Sequence, residues 1–164
     1  HPALDRLMAG ITFFGSSPWL LGVMIAMSVA QRRRSGWLVR CWAGWLVGVL
    51  VQVALRVFVG QWRPDAAGAP SSGTWWAQYD RAGFTSGHAY RAAYLYRWLT
   101  LQGLGGSRGI WARRVGLAAI ALVGISRVYL GRHWMSDVIG GWLVAAVALA
   151  VAQQVDDDTH LSSA

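Results

Sequence analysis

Residues 37–60 read WLVRCWAGWLVGVLVQVALRVFVG, and this stretch decides the fold class. At a rise of about 1.5 Å per residue, a helix of this length crosses a hydrocarbon layer of roughly 30 Å. Four further apolar segments lie around it, at residues 18–30, 88–102, 110–130 and 133–155. The expected fold is therefore all-α, a transmembrane helical bundle of about five spanning helices. Ahead of them, Leu4, Leu7, Met8, Ile11 and Phe14 recur at helical spacing, with Asp5 and Arg6 on another side. That pattern predicts an N-terminal amphipathic helix lying at the membrane interface. Gly15-Ser16-Ser17-Pro18 then breaks the chain and starts the next helix.

The segment 88–102 fits a membrane least well, because it carries Arg91 and Arg97. Two arginines facing lipid would be costly, so they must face neighbouring helices or lie near the helix ends. One membrane-embedded domain is expected over 1–155. The remainder, 156–164, opens with three successive aspartates and reads as a polar tail without order. The chain starts at His1, not Met.

Composition supports the membrane assignment. Apolar residues make up 55% of the chain and charged residues 13%, against about 25% charged in ordinary soluble domains; mean hydropathy is +0.35. The net charge is +8, and all 15 basic residues are arginine. A basic balance often signals nucleic acid. Here the arginines sit inside or at the ends of apolar stretches, which fits interface anchoring or an anion site and no nucleic-acid partner. The single Cys41 excludes an intrachain disulfide.

The basic turns give the topology. Arg32, Arg33 and Arg34 close one turn, and Arg108, Arg113 and Arg114 mark another. With alternating helices both fall on one side, which the positive-inside rule makes cytoplasmic. The Gly-, Pro- and Ser-rich loop 61–87 and the turn 130–133 share the opposite face. Arg56, Arg63, Arg81, Arg91, Arg127 and Arg132 gather towards that opposite face, where an anionic ligand would give them a purpose.

Three short stretches carry the chemistry. Arg56 and Arg63-Pro64 lie seven residues apart at the end of the second segment. That is about two helical turns, so both face one side if the helix continues to Pro64. Ser86-Gly87-His88 opens the third segment; its backbone amides and helix N-terminus offer an anion cradle. Ser126-Arg127 precedes His133 and Asp137, which lie four apart on one helix. Arginine forks match the oxygens of a phosphoryl group. A carboxylate on one imidazole nitrogen aims the other outward as a nucleophile. His88 can then serve as acid and base for the leaving group and the incoming water. Taken singly, each feature has a plain structural use, as interface anchor, helix cap or polar contact. Their shared location on one membrane face is what points to a site.

At these residues the sequence resembles the type-2 phosphatidic acid phosphatase superfamily. That family's signature runs Lys, six residues, Arg-Pro; then Pro-Ser-Gly-His; then Ser-Arg, five residues, His, three residues, Asp. Arg56 stands at the Lys position before Arg63-Pro64, Ser86-Gly87-His88 fits the second motif, and Ser126-Arg127, His133 and Asp137 complete the third. The chain departs in having Arg56 for Lys and Thr85 for Pro. The resemblance implies a metal-free, cofactor-free enzyme working through a phosphohistidine. His133 would be the nucleophile, Asp137 its orienting carboxylate, and His88 the acid and base. Arg56, Arg63, Ser86, Gly87 and Arg127 would hold the phosphate.

The expected function is hydrolysis of a lipid phosphomonoester or diphosphate within the bilayer. The expected location is a bacterial cytoplasmic membrane, with the site on its extracytoplasmic face. Three alternatives share the same residues: a lipid phosphotransferase, a vanadate-dependent haloperoxidase, and a non-catalytic lipid-binding protein. Trp62, Trp75 and Trp76 are expected near the headgroups, where they guide lipid entry or form a general aromatic belt.

Overall fold

The computed structural model describes residues 1–33, 35–66, 81–101 and 106–161. The helices are α1 (Pro2–Phe13), α2 (Ser17–Ala30), α3 (Ser35–Val59), α4 (Gly87–Leu101), α5 (Gly106–Tyr129) and α6 (Met135–Leu161), with a 3-10 turn at Pro64–Ala66. Among the described residues the one extended pairing is an isolated antiparallel bridge between Trp62 and Ala82. Trp75 and Trp76 lie outside the described residues.

Four stretches are long and apolar enough to cross a membrane: Pro2–Ala30 taken across the α1–α2 elbow, Gly36–Val59, Arg108–Tyr129 and Met135–Gln154. The chain is an all-α integral membrane bundle. Its outer faces are strongly apolar: Phe58 is 85% exposed, and Val57, Trp111, Val115 and Leu143 are also uncovered. Contiguous apolar surface of this kind suits lipid tails and not water.

α4 is the exception and the centre. It packs against both α5 and α6, and α3 closes on α6 from the other side. Ala89, Tyr90, Ala92, Tyr94, Leu95 and Trp98 are all buried. Small residues let neighbouring helices approach, and the two tyrosines carry their hydroxyls to backbone acceptors. Tyr90 donates to the Trp45 carbonyl at 2.8 Å and Tyr94 to the Cys41 carbonyl at 2.7 Å, tying α4 to α3. Arg91 is half-buried between helices, while Arg97 is exposed in the last turns. The expectation that these arginines avoid lipid holds for Arg91 through its helix neighbours and for Arg97 through its place near the end.

The amphipathic α1 lies along α5. Tyr129 donates to Asp5 at 2.9 Å, and Arg127 donates to Thr12 at 3.1 Å. The last helix keeps its backbone form to Leu161, so 156–161, marked by composition as a polar tail, continue α6. Each further residue adds one hydrogen bond to a helix already nucleated, which is how a polar sequence extends a packed one.

Candidate active site

Two chain reversals place the site residues at one end of the bundle. Gly60 at φ 61° ends α3, and Gly131 at φ 65° ends the turn after α5; both conformations favour glycine. Beyond Gly131, the amides of Arg132 and His133 both donate to the Arg127 carbonyl, at 3.1 and 3.3 Å. This folded turn sets Arg127 and His133 together.

His133 is 3% exposed and Asp137 is fully buried. His133 Nδ1 lies 3.2 Å from Asp137 Oδ2, and the Trp134 amide donates to the same oxygen at 3.0 Å. A carboxylate only accepts, so Nδ1 carries the proton and Nε2 keeps its lone pair. Asp137 thereby caps the start of its own helix and orients the imidazole in one contact. Burial holds His133 below the ordinary imidazole range. The Asp137 hydrogen bond pulls it back up, and the charges of Arg127 and Arg63 press it down again. At neutral pH the ring is therefore neutral.

His88 opens α4 and lies within electrostatic reach of Arg127, Arg91, His133 and Arg63. The histidines and arginines predicted from three distant stretches are thus brought together. Arg127 has a buried Nε without a hydrogen-bond partner, as does Arg63. Buried donors left unmatched are costly, and an oxyanion seated among them would satisfy both. Asp137 Oδ1 is likewise buried and unmatched. Among the described residues no three His, Cys, Asp or Glu side chains gather as a metal's ligand set; guanidinium groups supply the positive charge.

Three sequence expectations need correction. His133 does not share a helix with Asp137: α6 begins at Met135, and His133 stands in the turn ahead of it. Arg56 and Arg63 do not share a helix face, because α3 ends at Val59. Arg63 is positioned instead by the paired segment: its amide donates to the Arg81 carbonyl at 3.0 Å, and Gly83 donates to Gln61 at 2.6 Å. That pairing sets Gly83 against both Arg63 and the Asp137 carboxylate. The Ser86 amide is not part of an open cradle either. It donates to the Asp137 backbone carbonyl at 2.9 Å, and the Ser86 hydroxyl accepts from the Ala89 amide at 3.4 Å as the helix cap. The Gly87 and His88 amides, in the first turn of α4, have no acceptor one turn earlier, as at any helix start.

The rest fall near where they were expected. Arg56 donates to the Thr85 carbonyl at 3.2 Å, which holds it beside the start of α4. Arg132 pairs with Asp65 at 3.0 Å on the exposed rim, and Trp62 accepts from the Trp134 indole at 2.9 Å. Sequence reasoning missed three supports. Gln52 donates to the Thr85 hydroxyl at 3.0 Å; its signal was a lone amide inside an apolar run. Thr12 holds Arg127, which nothing local in the sequence marks; Arg91, which the sequence placed only among the basic residues of this face, contacts His88 at 3.3 Å.

The fold and the site define a helical membrane protein that gathers arginines around a carboxylate-oriented histidine. Residues 19–159 match the model of the PAP2 superfamily, and the chain belongs to that superfamily. It is 27% identical over 169 residues to phosphatidylglycerophosphatase B of Bacillus subtilis (strain 168), covering 96% of this chain and 77% of that protein. A crystal structure of a transmembrane PAP2-type phosphatidylglycerolphosphate phosphatase from Bacillus subtilis superposes with a TM-score of 0.77 at 25% identity, covering 96% of this chain and 79% of the other. The crystal structure of LpxE from Aquifex aeolicus shares the fold, with a TM-score of 0.73 at 19% identity over 94% of this chain and 87% of that one.

Proposed function

We propose that this protein is a membrane lipid phosphatase that hydrolyses a phosphomonoester or lipid diphosphate through a phosphohistidine, without a metal ion. The observation that carries the reading is the buried His133–Asp137 pair set among Arg63, Arg127 and His88. The relatives named above as phosphatidylglycerophosphatases support a lipid phosphate as substrate.

In the first step His133 Nε2 attacks phosphorus, the bond to the leaving oxygen breaks, and His88 gives that oxygen a proton. In the second, water attacks phosphorus, the phosphorus–nitrogen bond breaks, and His88 takes the water's proton. Arg56, Arg63 and Arg127 hold the phosphoryl oxygens, with the Gly87 amide and the Ser86 cap at the start of α4. Fixed positive charge around the developing oxyanion is the largest source of rate. One domain over 1–155 contains all of these parts.

The reaction faces the extracytoplasmic side of a bacterial cytoplasmic membrane. α3 spans the 25 residues Ser35–Val59, about 37 Å, with the Arg32–Arg33 turn just ahead of it and Arg56 in its last turn. α5 runs from Arg108 to Arg127. The basic turns and the candidate site thus occupy opposite ends of the same helices, and the positive-inside rule assigns the turns to the cytoplasm.

The test is phosphate release from a panel of phosphatidate, phosphatidylglycerol phosphate and polyprenyl diphosphate, with and without EDTA. Turnover that survives EDTA and vanishes in His133→Ala supports the reading. No turnover on any of them, or a strict need for a divalent ion, overturns it.

A further inference from the structure

Arg91 lies outside the three motifs yet contacts both the His88 ring and the backbone packed against it. Its Nε donates to the Gly15 carbonyl at 2.9 Å, and its Nη2 meets His88 Nδ1 at 3.3 Å. Gly15 is the elbow between α1 and α2, and it is pressed onto the same histidine from the other side. A Cβ on Gly15 would lie 2.8 Å from the His88 carbonyl oxygen, 3.2 Å from its Cβ and 2.7 Å from Val123. The elbow is fastened as well by Tyr96, which donates to the Phe14 carbonyl at 3.2 Å and accepts from the Trp19 indole at 3.1 Å. The first turn of α4 at His88 is thus packed against a backbone elbow, and one guanidinium joins the elbow's carbonyl to the His88 ring.

We infer that Arg91 is a positioning residue for His88, tethering its ring to the α1–α2 elbow through one guanidinium in the orientation that the leaving group requires. The assignment rests on the proposed acid and base role of His88. An arginine only donates, so the contacted Nδ1 accepts and the waiting ring is neutral, with its proton on Nε2. To act as an acid the ring must gain a second proton, on Nδ1, and that bond to Arg91 must yield. Burial stands first against the second proton, followed by the charges of Arg127 on α5, Arg91 on α4, His133 in the following turn and Arg63 in the segment after α3. The α1–α2 elbow offers a carbonyl and no charge. A phosphoryl dianion among these groups offsets their charge, so protonation of His88 is coupled to arrival of the substrate. The fork of Arg91 keeps its hold on Gly15 throughout, so the ring does not drift while it waits.

The test compares two leaving groups in detergent-solubilised full-length protein: dioctanoyl phosphatidate, whose alkoxide needs a proton, and p-nitrophenyl phosphate, whose phenolate does not. Arg91→Met is expected to lower kcat on the phosphatidate about 10- to 100-fold, a fraction of the full acid–base effect. On the aryl phosphate it should stay within about threefold. The alkaline limb of kcat on the phosphatidate should move to higher pH, because a cation facing His88 is gone. Arg91→Lys keeps the charge but lacks the fork; it should restore the limb and recover only part of kcat. Gly15→Ala displaces the elbow without touching charge and should reproduce the leaving-group difference more weakly. Equal losses on both substrates with a raised KM would make Arg91 a phosphate holder and overturn the inference, as would wild-type kinetics on both. His88→Ala separates this from the underlying reading. If His88→Ala itself shows no leaving-group difference, the acid role of His88 fails; if it shows one and Arg91→Met does not, only the role of Arg91 fails.

Discussion

The two imidazoles of the site are held by partners of opposite kind. His133 Nδ1 faces the Asp137 carboxylate four residues further along the chain. His88 Nδ1 faces the Arg91 guanidinium three residues along. Arg91 lies one helical turn along α4 from His88, and Asp137 in the first turn of α6 reaches back to His133 in the turn ahead of it; one partner can only accept and the other can only donate. The consequence is a division of labour. His133 presents a lone pair at Nε2, the state a nucleophile needs, whereas His88 in its waiting form carries a proton there. Identical side chains acquire different chemistry from one neighbouring residue each.

The largest effect should come from removing the nucleophile. His133→Ala is expected to lower phosphate release by several orders of magnitude, on alkyl and aryl phosphates alike, because both pass through the phosphohistidine in the proposed mechanism. Equal activity of this variant on the aryl ester would erase the proposed difference between the two rings. Asp137→Asn comes next. Its amide can present an N–H to His133, favouring the tautomer with Nε2 protonated, and it also removes the acceptor for the Trp134 amide if it turns. A fall in kcat of about 10²- to 10⁴-fold is expected, with KM nearly unchanged; a rise in KM alone would make Asp137 a structural cap and nothing more.

The pH profile sharpens the comparison further. His133 must be neutral to attack, and burial, the first cause, holds it below the ordinary imidazole value of 6.5. A group with a lowered value stays neutral until the pH falls through that lower value. The acid limb of kcat/KM assigned to His133 should therefore lie below pH 6.5; a limb above it would mean that Asp137 outweighs burial and the arginines. Asp137→Asn, which removes the pull upward, should move that limb lower still. The smallest effect is expected from Thr12→Val. It removes the hydroxyl that holds the Arg127 guanidinium, and KM for a lipid phosphate should change by no more than about tenfold, the low end for a hydrogen bond to a charged group at about 1.5 kcal/mol. A change as large as that of Arg127→Ala would make α1 part of the phosphate site.

Much of this arrangement is legible in the chain. Segment length and apolar content give the helices, since those depend on local composition. The spacing of Ser126-Arg127, His133 and Asp137 marks the oriented pair, although the contact is made by Asp137 in the first turn of α6 reaching back to His133 in the turn before it. What depends on tertiary pairing is not legible. Arg63 reaches the site through the Trp62–Ala82 bridge and not along a helix. The Ser86 amide is occupied by a carbonyl from α6, some fifty positions away in the chain. The enclosure of α4 follows from packing by α3, α5 and α6 together, which its own fifteen residues do not encode. The elbow at Gly15 reads only as a break in the sequence, and its contact with His88 appears once the helices are packed.

The most direct measurement is to quench the protein with base during turnover of ³²P-labelled phosphatidate and to locate the label by peptide mapping. Histidine-bound phosphate survives alkali and is lost in acid. The account predicts an alkali-stable, acid-labile label on the peptide containing His133, absent in His133→Ala. A label on any other residue, or full turnover in the His133→Ala variant, would contradict it.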